Sequence, residues 1–278
     1  MWYNVIMSKV IAFSNQKGGV GKTTTCVNVS ACIATMGKRV LIVDVDPQGN
    51  ASSGLGIQKN KLEASLYDVL INGVDANHAI TSTTVPNLDT IPSTIDLAGA
   101  EIDIFNNTKK RDEVLKKALS LVTSNYDFVM IDCPPSLGLL TVNALSAADS
   151  VLVPLQGEFY ALEGITQLMN TIKLVKKHNN PKLEIEGIVM TMYDPRSLLA
   201  QSVTAEIANY FGGLMYQTKI PRNIRLSEAP SYGLPILQFD PRSTGGQAYI
   251  ALSEEILVRN NQTYKKILNP SQHKKKDT

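Results

Sequence analysis

Cysteine is scarce in this chain of 278 residues, which holds Cys26, Cys32 and Cys133 and no others. Three cysteines cannot build a disulfide framework, and none are spaced Cys-x-x-Cys, so a zinc or iron–sulfur centre within one chain is disfavoured. Long apolar runs are missing as well. The longest, residues 248–252, falls far short of the roughly 20 residues that cross a bilayer. Residues 1–7 lack the basic start and apolar stretch of a secretory signal. These absences point to a cytoplasmic protein. Strong charge is also lacking. The net charge is +2, and residues 259–278 alone carry +5, which leaves −3 on the other 258. Such a body does not bind nucleic acid by bulk charge; any such role falls to local patches or to the tail. Apolar material is ample at 44%, which excludes disorder throughout.

Aliphatic runs alternate with helical periodicity. Strands are expected at residues 10–14, 40–43, 128–131, 150–154 and 185–190, with a further one at 214–218. Continuous runs such as Val40-Leu41-Ile42-Val43 have the pattern of strands buried on both faces. Helices are expected at residues 23–36, 111–123, 162–178, 202–211 and 246–268. Strands separated by helices imply parallel crossovers and an α/β layered domain. Residues 49–108 are polar and rich in turn formers, and are expected to be surface helices and loops. The domain is expected to span residues 9–268. Met7-Ser8-Lys9 has the look of a natural start, residues 1–8 are expected to be an N-terminal extension, and residues 269–278 are expected to form a basic, disordered tail.

The strongest signal is Gln-Lys-Gly-Gly-Val-Gly-Lys-Thr at residues 16–23, between an expected strand and an expected helix. That is the setting of a phosphate-binding loop. Glycines turn successive N–H groups inward, the helix N-terminus adds its dipole, Lys22 a full charge, and Thr23 a hydroxyl for Mg²⁺. A chance match to residues 17–23 is roughly one in a million. The strict pattern G-x-x-x-x-G-K-[ST] is not met, because its first glycine falls on Gln16; in exchange Lys17 precedes the double glycine. Asp44, Asp46 and Asp132 stand at or just past the carboxyl ends of expected buried strands, where ligands bind in open α/β sheets. Asp132 is placed to hold Mg²⁺ through water. Asp44 serves equally well as a strand-end cap.

This loop resembles the deviant Walker A motif of the ParA/MinD ATPases. The likeness continues in Val-Leu-Ile-Val-Asp-Val-Asp-Pro-Gln-Gly-Asn at residues 40–50 and in Phe-Val-Met-Ile-Asp-Cys-Pro-Pro at 128–135. Ile-Pro-Arg-Asn-Ile-Arg-Leu-Ser-Glu-Ala-Pro at 220–230 is similar to a stretch of ParA/Soj chromosome and plasmid partition proteins. The resemblance implies a three-layer, doubly wound, mostly parallel P-loop ATPase fold. It implies that Lys17, Gly18, Gly19, Val20, Gly21, Lys22, Thr23 and Thr24 cradle ATP, with Thr23 and Asp132 on Mg²⁺. Asp46 would position the attacking water, and Lys17 would reach the partner's phosphates in a sandwich homodimer, as an arginine finger does. Pro221 and Asn223 would lie against adenine; the guanine-reading Asn-Lys-x-Asp motif is absent. The dimer would bind double-stranded DNA without sequence preference through Arg196 and Arg225, on the nucleoid, until a ParB-type partner stimulates hydrolysis. A membrane-cycling, MinD-like division-site ATPase is the alternative, but the last ten residues carry no apolar face for lipid. A metal-cluster carrier would need paired cysteines that are not present.

Overall fold

Alternate residues of each strand feed two separate cores. Val10 and Ala12 point to one face of the sheet, Ile11 and Phe13 to the other. The computed structural model describes residues 8–267; the expectations for residues 1–7 and 269–278 lie outside them. The chain runs through β1 (Lys9–Phe13), α1 (Lys22–Thr35), β2 (Val40–Asp44), α2 (Asn50–Gly54), α3 (Leu66–Leu70), α4 (Ala76–Ala79), β3 (Thr81–Ser82) and β4 (Leu88–Ile91). It continues with α5 (Ala100–Asn107), α6 (Val114–Leu119), β5 (Phe128–Asp132), α7 (Leu139–Ala147), β6 (Ser150–Gln156), α8 (Ala161–His178), β7 (Glu184–Thr191) and α9 (Leu198–Phe211). Three further helices close it: α10 (Ile224–Glu228), α11 (Ile236–Phe239) and α12 (Thr244–Arg259).

The strands form one sheet in the order β3-β4-β2-β5-β1-β6-β7, parallel except for the β3 edge. Residues of α3 and α5–α9 pack on one face; residues of α1, α10, α11 and α12 pack on the other. This is the doubly wound, three-layer arrangement expected of the sequence. The central strands β1, β2 and β5 end together, with Phe13 and Asp44 both in register with Asp132. The loop after β1 and the acids after β2 and β5 therefore meet at one edge.

Three expectations need correction. Residues 49–108 are not only surface: they contribute β3 and β4, and Leu88 and Ile91 are fully buried. Strands of two and four residues are too short to display alternation. Residues 214–218 form no strand. The 3-10 turn Gly212–Leu214 leads into a single bridge between Ile188 and Met215. The last helix stops at Arg259 rather than running to 268, because Asn261 takes a left-handed backbone (φ 54°) that ends it. Tyr264 and Ile267 still pack on the core around α1 and α12.

Candidate functional site

The loop joining β1 to α1 is tied to β6 and β7 and braced within itself. Asn15 Nδ2 donates to the Pro154 carbonyl (2.7 Å), and Asn15 Oδ1 accepts from the Lys17 N–H (3.0 Å). Thr191 Oγ1 donates to the Val20 carbonyl (2.8 Å). Gly21 sits at the head of α1 with φ 82°, a conformation other residues rarely take, and offers no side chain to cap the helix. The first N–H groups of α1 are left for a ligand, and the helix dipole favours an anion there. The Val20 side chain is buried and does not line the cavity.

Gly18, Gly19, Gly21, Lys22, Thr23, Thr24 and Asp46 line a cavity of about 710 Å³. Lys22 is buried, with its ammonium on the Lys17 carbonyl (3.0 Å). Burial lowers its pKa, and the charge of Asp132 opposes that shift. Asp132 is fully buried, and neither carboxylate oxygen has a hydrogen-bond partner among the described residues. Burial pushes its pKa well up and the neighbouring Asp44 pushes it further. The Thr23 hydroxyl draws it back in part, from outside hydrogen-bond geometry. A buried carboxylate without donors is costly unless a cation meets it. Among the described residues no cluster of three or more His, Cys, Asp or Glu could hold a metal alone. One carboxylate and one hydroxyl completed by phosphate oxygens is the chemistry of Mg²⁺, and the residues present fit it.

The two acids after β2 differ. Asp44 Oδ2 accepts from Ser52 N (2.8 Å) and Ser52 Oγ (2.7 Å), and Oδ1 accepts from Asp46 N (3.3 Å). Ser52 Oγ in turn accepts from Ser93 N (3.1 Å). Asp44 is thus an anchor for the loop that carries Asp46, and burial raises its pKa to about 6. Asp46 accepts from the Gln48 N–H (2.9 Å) and faces the cavity.

A second cavity, about 300 Å³, shares the walls Gly21, Thr24, Met192 and Pro230 with the first. Pro221, Asn223 and Tyr249 line it. Asn223 Nδ2 donates to Thr244 Oγ1 (2.7 Å), while Asn223 Oδ1 is buried and unpartnered among the described residues.

Lys17 lies apart from this cavity. Its ammonium is ion-paired with Glu158 of its own chain, and both side chains are partly exposed. The motifs alone did not single out Glu158; it stands after β6, in a stretch without a motif. Arg196 is exposed and clamped by Asp194, Nε to Oδ1 at 3.0 Å and Nη2 to Oδ2 at 2.9 Å, which holds Asp194 down to about 2. Arg225 pairs with Glu228 (2.9 Å) and Asp240 (3.4 Å). The two loops are joined by a bridge between Tyr193 and Pro221.

A family model described as an AAA domain matches residues 8–185. The chain is 57% identical over 250 residues to the sporulation initiation inhibitor protein Soj of Bacillus subtilis, covering 90% of this chain and 98% of that one. The chain belongs to the Soj/ParA family of partition ATPases. Solved structures agree on the fold. One neighbour is described as cobyrinic acid a,c-diamide synthase from Mycobacterium smegmatis with bound ATP analog and magnesium. It is 34% identical with a TM-score of 0.81, covering 94% of this chain and 100% of that one. The cell division ATPase MinD of Pyrococcus furiosus is 27% identical with a TM-score of 0.73, covering 90% and 98%. The P-loop and Asp46 line the larger cavity, the 220–230 stretch lines chiefly the smaller one, and Asp132 is buried close to Lys22. Among its described residues no helix is long and apolar enough to cross a membrane.

Proposed function

We propose that this chain is an ATP-hydrolysing partition protein, in which ATP drives a sandwich homodimer that binds double-stranded DNA without sequence preference. A ParB-type centromere-binding partner stimulates hydrolysis and releases it, on the nucleoid and in the cytoplasm. The observation that carries this reading is the convergence of Lys22, Thr23 and Asp46 on one cavity at the head of α1, with the orphaned Asp132 buried close to Lys22 and Thr23. Lys22 and the loop N–H groups bind the phosphates. Thr23, and Asp132 through water, would hold Mg²⁺, which would supply neutralising charge at the phosphates. Asp46 orients the attacking water from a loop fixed by Asp44. Adenine lies in the smaller cavity against Pro221 and Asn223. Residues 9–268 act as one ATPase domain.

Lys17 supports a role in trans. In its own chain it points to Glu158 rather than into the cavity, so its charge is available to a second copy once that exposed pair opens. Arg196 and Arg225 form the DNA surface with their neighbours. Each already has a carboxylate partner, which keeps the affinity of one protomer low and makes doubling the contacts decisive. The test is ATP binding against ATP turnover in Lys22→Ala and Asp46→Ala. The first is expected to lose binding, and the second to keep binding and lose turnover. An Asp46→Ala protein that hydrolyses ATP at the normal rate would refute the assignment.

A further inference from the structure

We infer that Thr244 is the residue that aims the Asn223 amide at the base, and so the positioning residue behind a preference for adenine over guanine nucleotides. This inference rests on the proposed reading of the paired cavities as an ATP site.

An asparagine just ahead of a helix usually turns its side-chain oxygen back to cap that helix. Asn223 occupies that place before α10, on extended backbone (φ −146°, ψ 125°), yet its side chain makes no cap. Its nitrogen is drawn instead to Thr244 Oγ1 at 2.7 Å. The oxygen is left buried and unpartnered, on a residue that lines the smaller cavity. A buried acceptor without a donor is unfavourable, so the cavity is set for a ligand that brings an N–H to that point. Adenine carries an exocyclic amino group as donor; guanine carries an acceptor oxygen at the equivalent ring position. With the amide held as it is, adenine completes the bond and guanine places two acceptors face to face.

Thr244 is itself well placed to hold the amide. It is the first residue of α12, and Ser243 caps that helix by accepting from the Gly246 N–H (3.1 Å). Gly245 leaves no room for a side chain: a Cβ there would stand 2.7 Å from Leu226, which lines the same cavity. The start of α12 is therefore pressed against the α10 wall. The β-branch of threonine limits its χ1 choices further. Thr244 does not line the cavity and acts through Asn223.

The experiment is equilibrium binding of ATP, GTP and inorganic tripolyphosphate, each with Mg²⁺, to the full chain and to Thr244→Val, Thr244→Ser and Asn223→Ala. Wild type is expected to prefer ATP. Thr244→Val is expected to shrink the ATP-over-GTP ratio about fivefold, the effect of one net hydrogen bond. Thr244→Ser keeps the ratio, and tripolyphosphate binding stays the same throughout. If Thr244→Val keeps the full ratio while Asn223→Ala loses it, Thr244 is not the positioning residue and the adenine reading survives. If Asn223→Ala keeps it too, the adenine reading itself falls. Equal losses for ATP and tripolyphosphate in Thr244→Val would mean a general structural role and overturn the proposal. Should the valine variant not fold, Thr244→Ala against Thr244→Ser makes the same comparison.

Discussion

The two neighbouring cavities, the proposed phosphate end and the proposed base end, are built on different principles. The phosphate end is electrostatic: a buried ammonium, a buried carboxylate without donors, and a helix head stripped of any cap, all from segments that end the adjacent strands β1 and β5. The base end has no buried charge: the Asn223 amide and the hydroxyl residues Thr191, Ser227 and Tyr249 stand among apolar residues such as Ile220 and Leu226, with exposed Arg222 at its wall. Charge in a buried site has large consequences when removed, whereas a single neutral hydrogen bond has small ones. On the proposed reading, the difference teaches that whether a nucleotide binds is decided at one end, and which nucleotide is decided at the other.

The largest effect is expected at the phosphate end. Lys22→Ala should weaken ATP binding by more than about 100-fold, as loss of a buried charge partner does; titration with ATP and with ADP measures it. A variant that binds within a few fold of wild type would break the contrast between the ends. Asp46→Ala comes next. It should lower turnover by about 100-fold or more, the scale of a lost proton-handling group, with ATP binding retained. Phosphate release alongside binding separates the two quantities.

Mixing sharpens the account of Lys17. Lys17→Ala and Asp46→Ala proteins are each expected to be inactive alone. In a mixed dimer one site keeps its own Asp46 and receives the partner's Lys17, so turnover should partly return. No recovery in demonstrated heterodimers would place Lys17 in its own site. A smaller effect is expected on the DNA surface. Arg196→Ala and Arg225→Ala should each lower the salt dependence of ATP-dependent DNA binding by roughly two units per dimer, one per lost phosphate contact. Deleting residues 269–278 should weaken DNA binding equally with and without ATP. The smallest effect is expected for Glu158→Gln. It frees Lys17 from an exposed ion pair and should shift the ATP concentration for dimerisation by less than about fivefold.

The contrast between the two ends also governs what can be read without coordinates. The phosphate end was legible because its chemistry is contiguous: residues 16–23 sit in one loop, and Asp46 and Asp132 follow aliphatic runs that can only be buried strands. The orphaned state of Asp132 and the anchoring of Asp44 by Ser52 were not, since both depend on neighbours in space. At the base end, Asn223 is visible only through family likeness. Its partner Thr244 lies 21 residues further on and carries no signal of its own. Glu158 likewise follows β6 with nothing in sequence to tie it to Lys17. Of the fold, the long aliphatic strands were readable to within two residues. The short β3 and β4 escaped because two to four residues cannot display a period.

The central claim is that one cavity, by holding ATP, switches DNA binding on. It is tested most directly by DNA binding measured on one preparation with no nucleotide, with ADP, with ATP, and with ATP in the Asp46→Ala variant. The account predicts little binding in the first two, clear binding with ATP, and the strongest binding in Asp46→Ala, where the dimer persists because hydrolysis is blocked. Equal DNA binding in all four would contradict it.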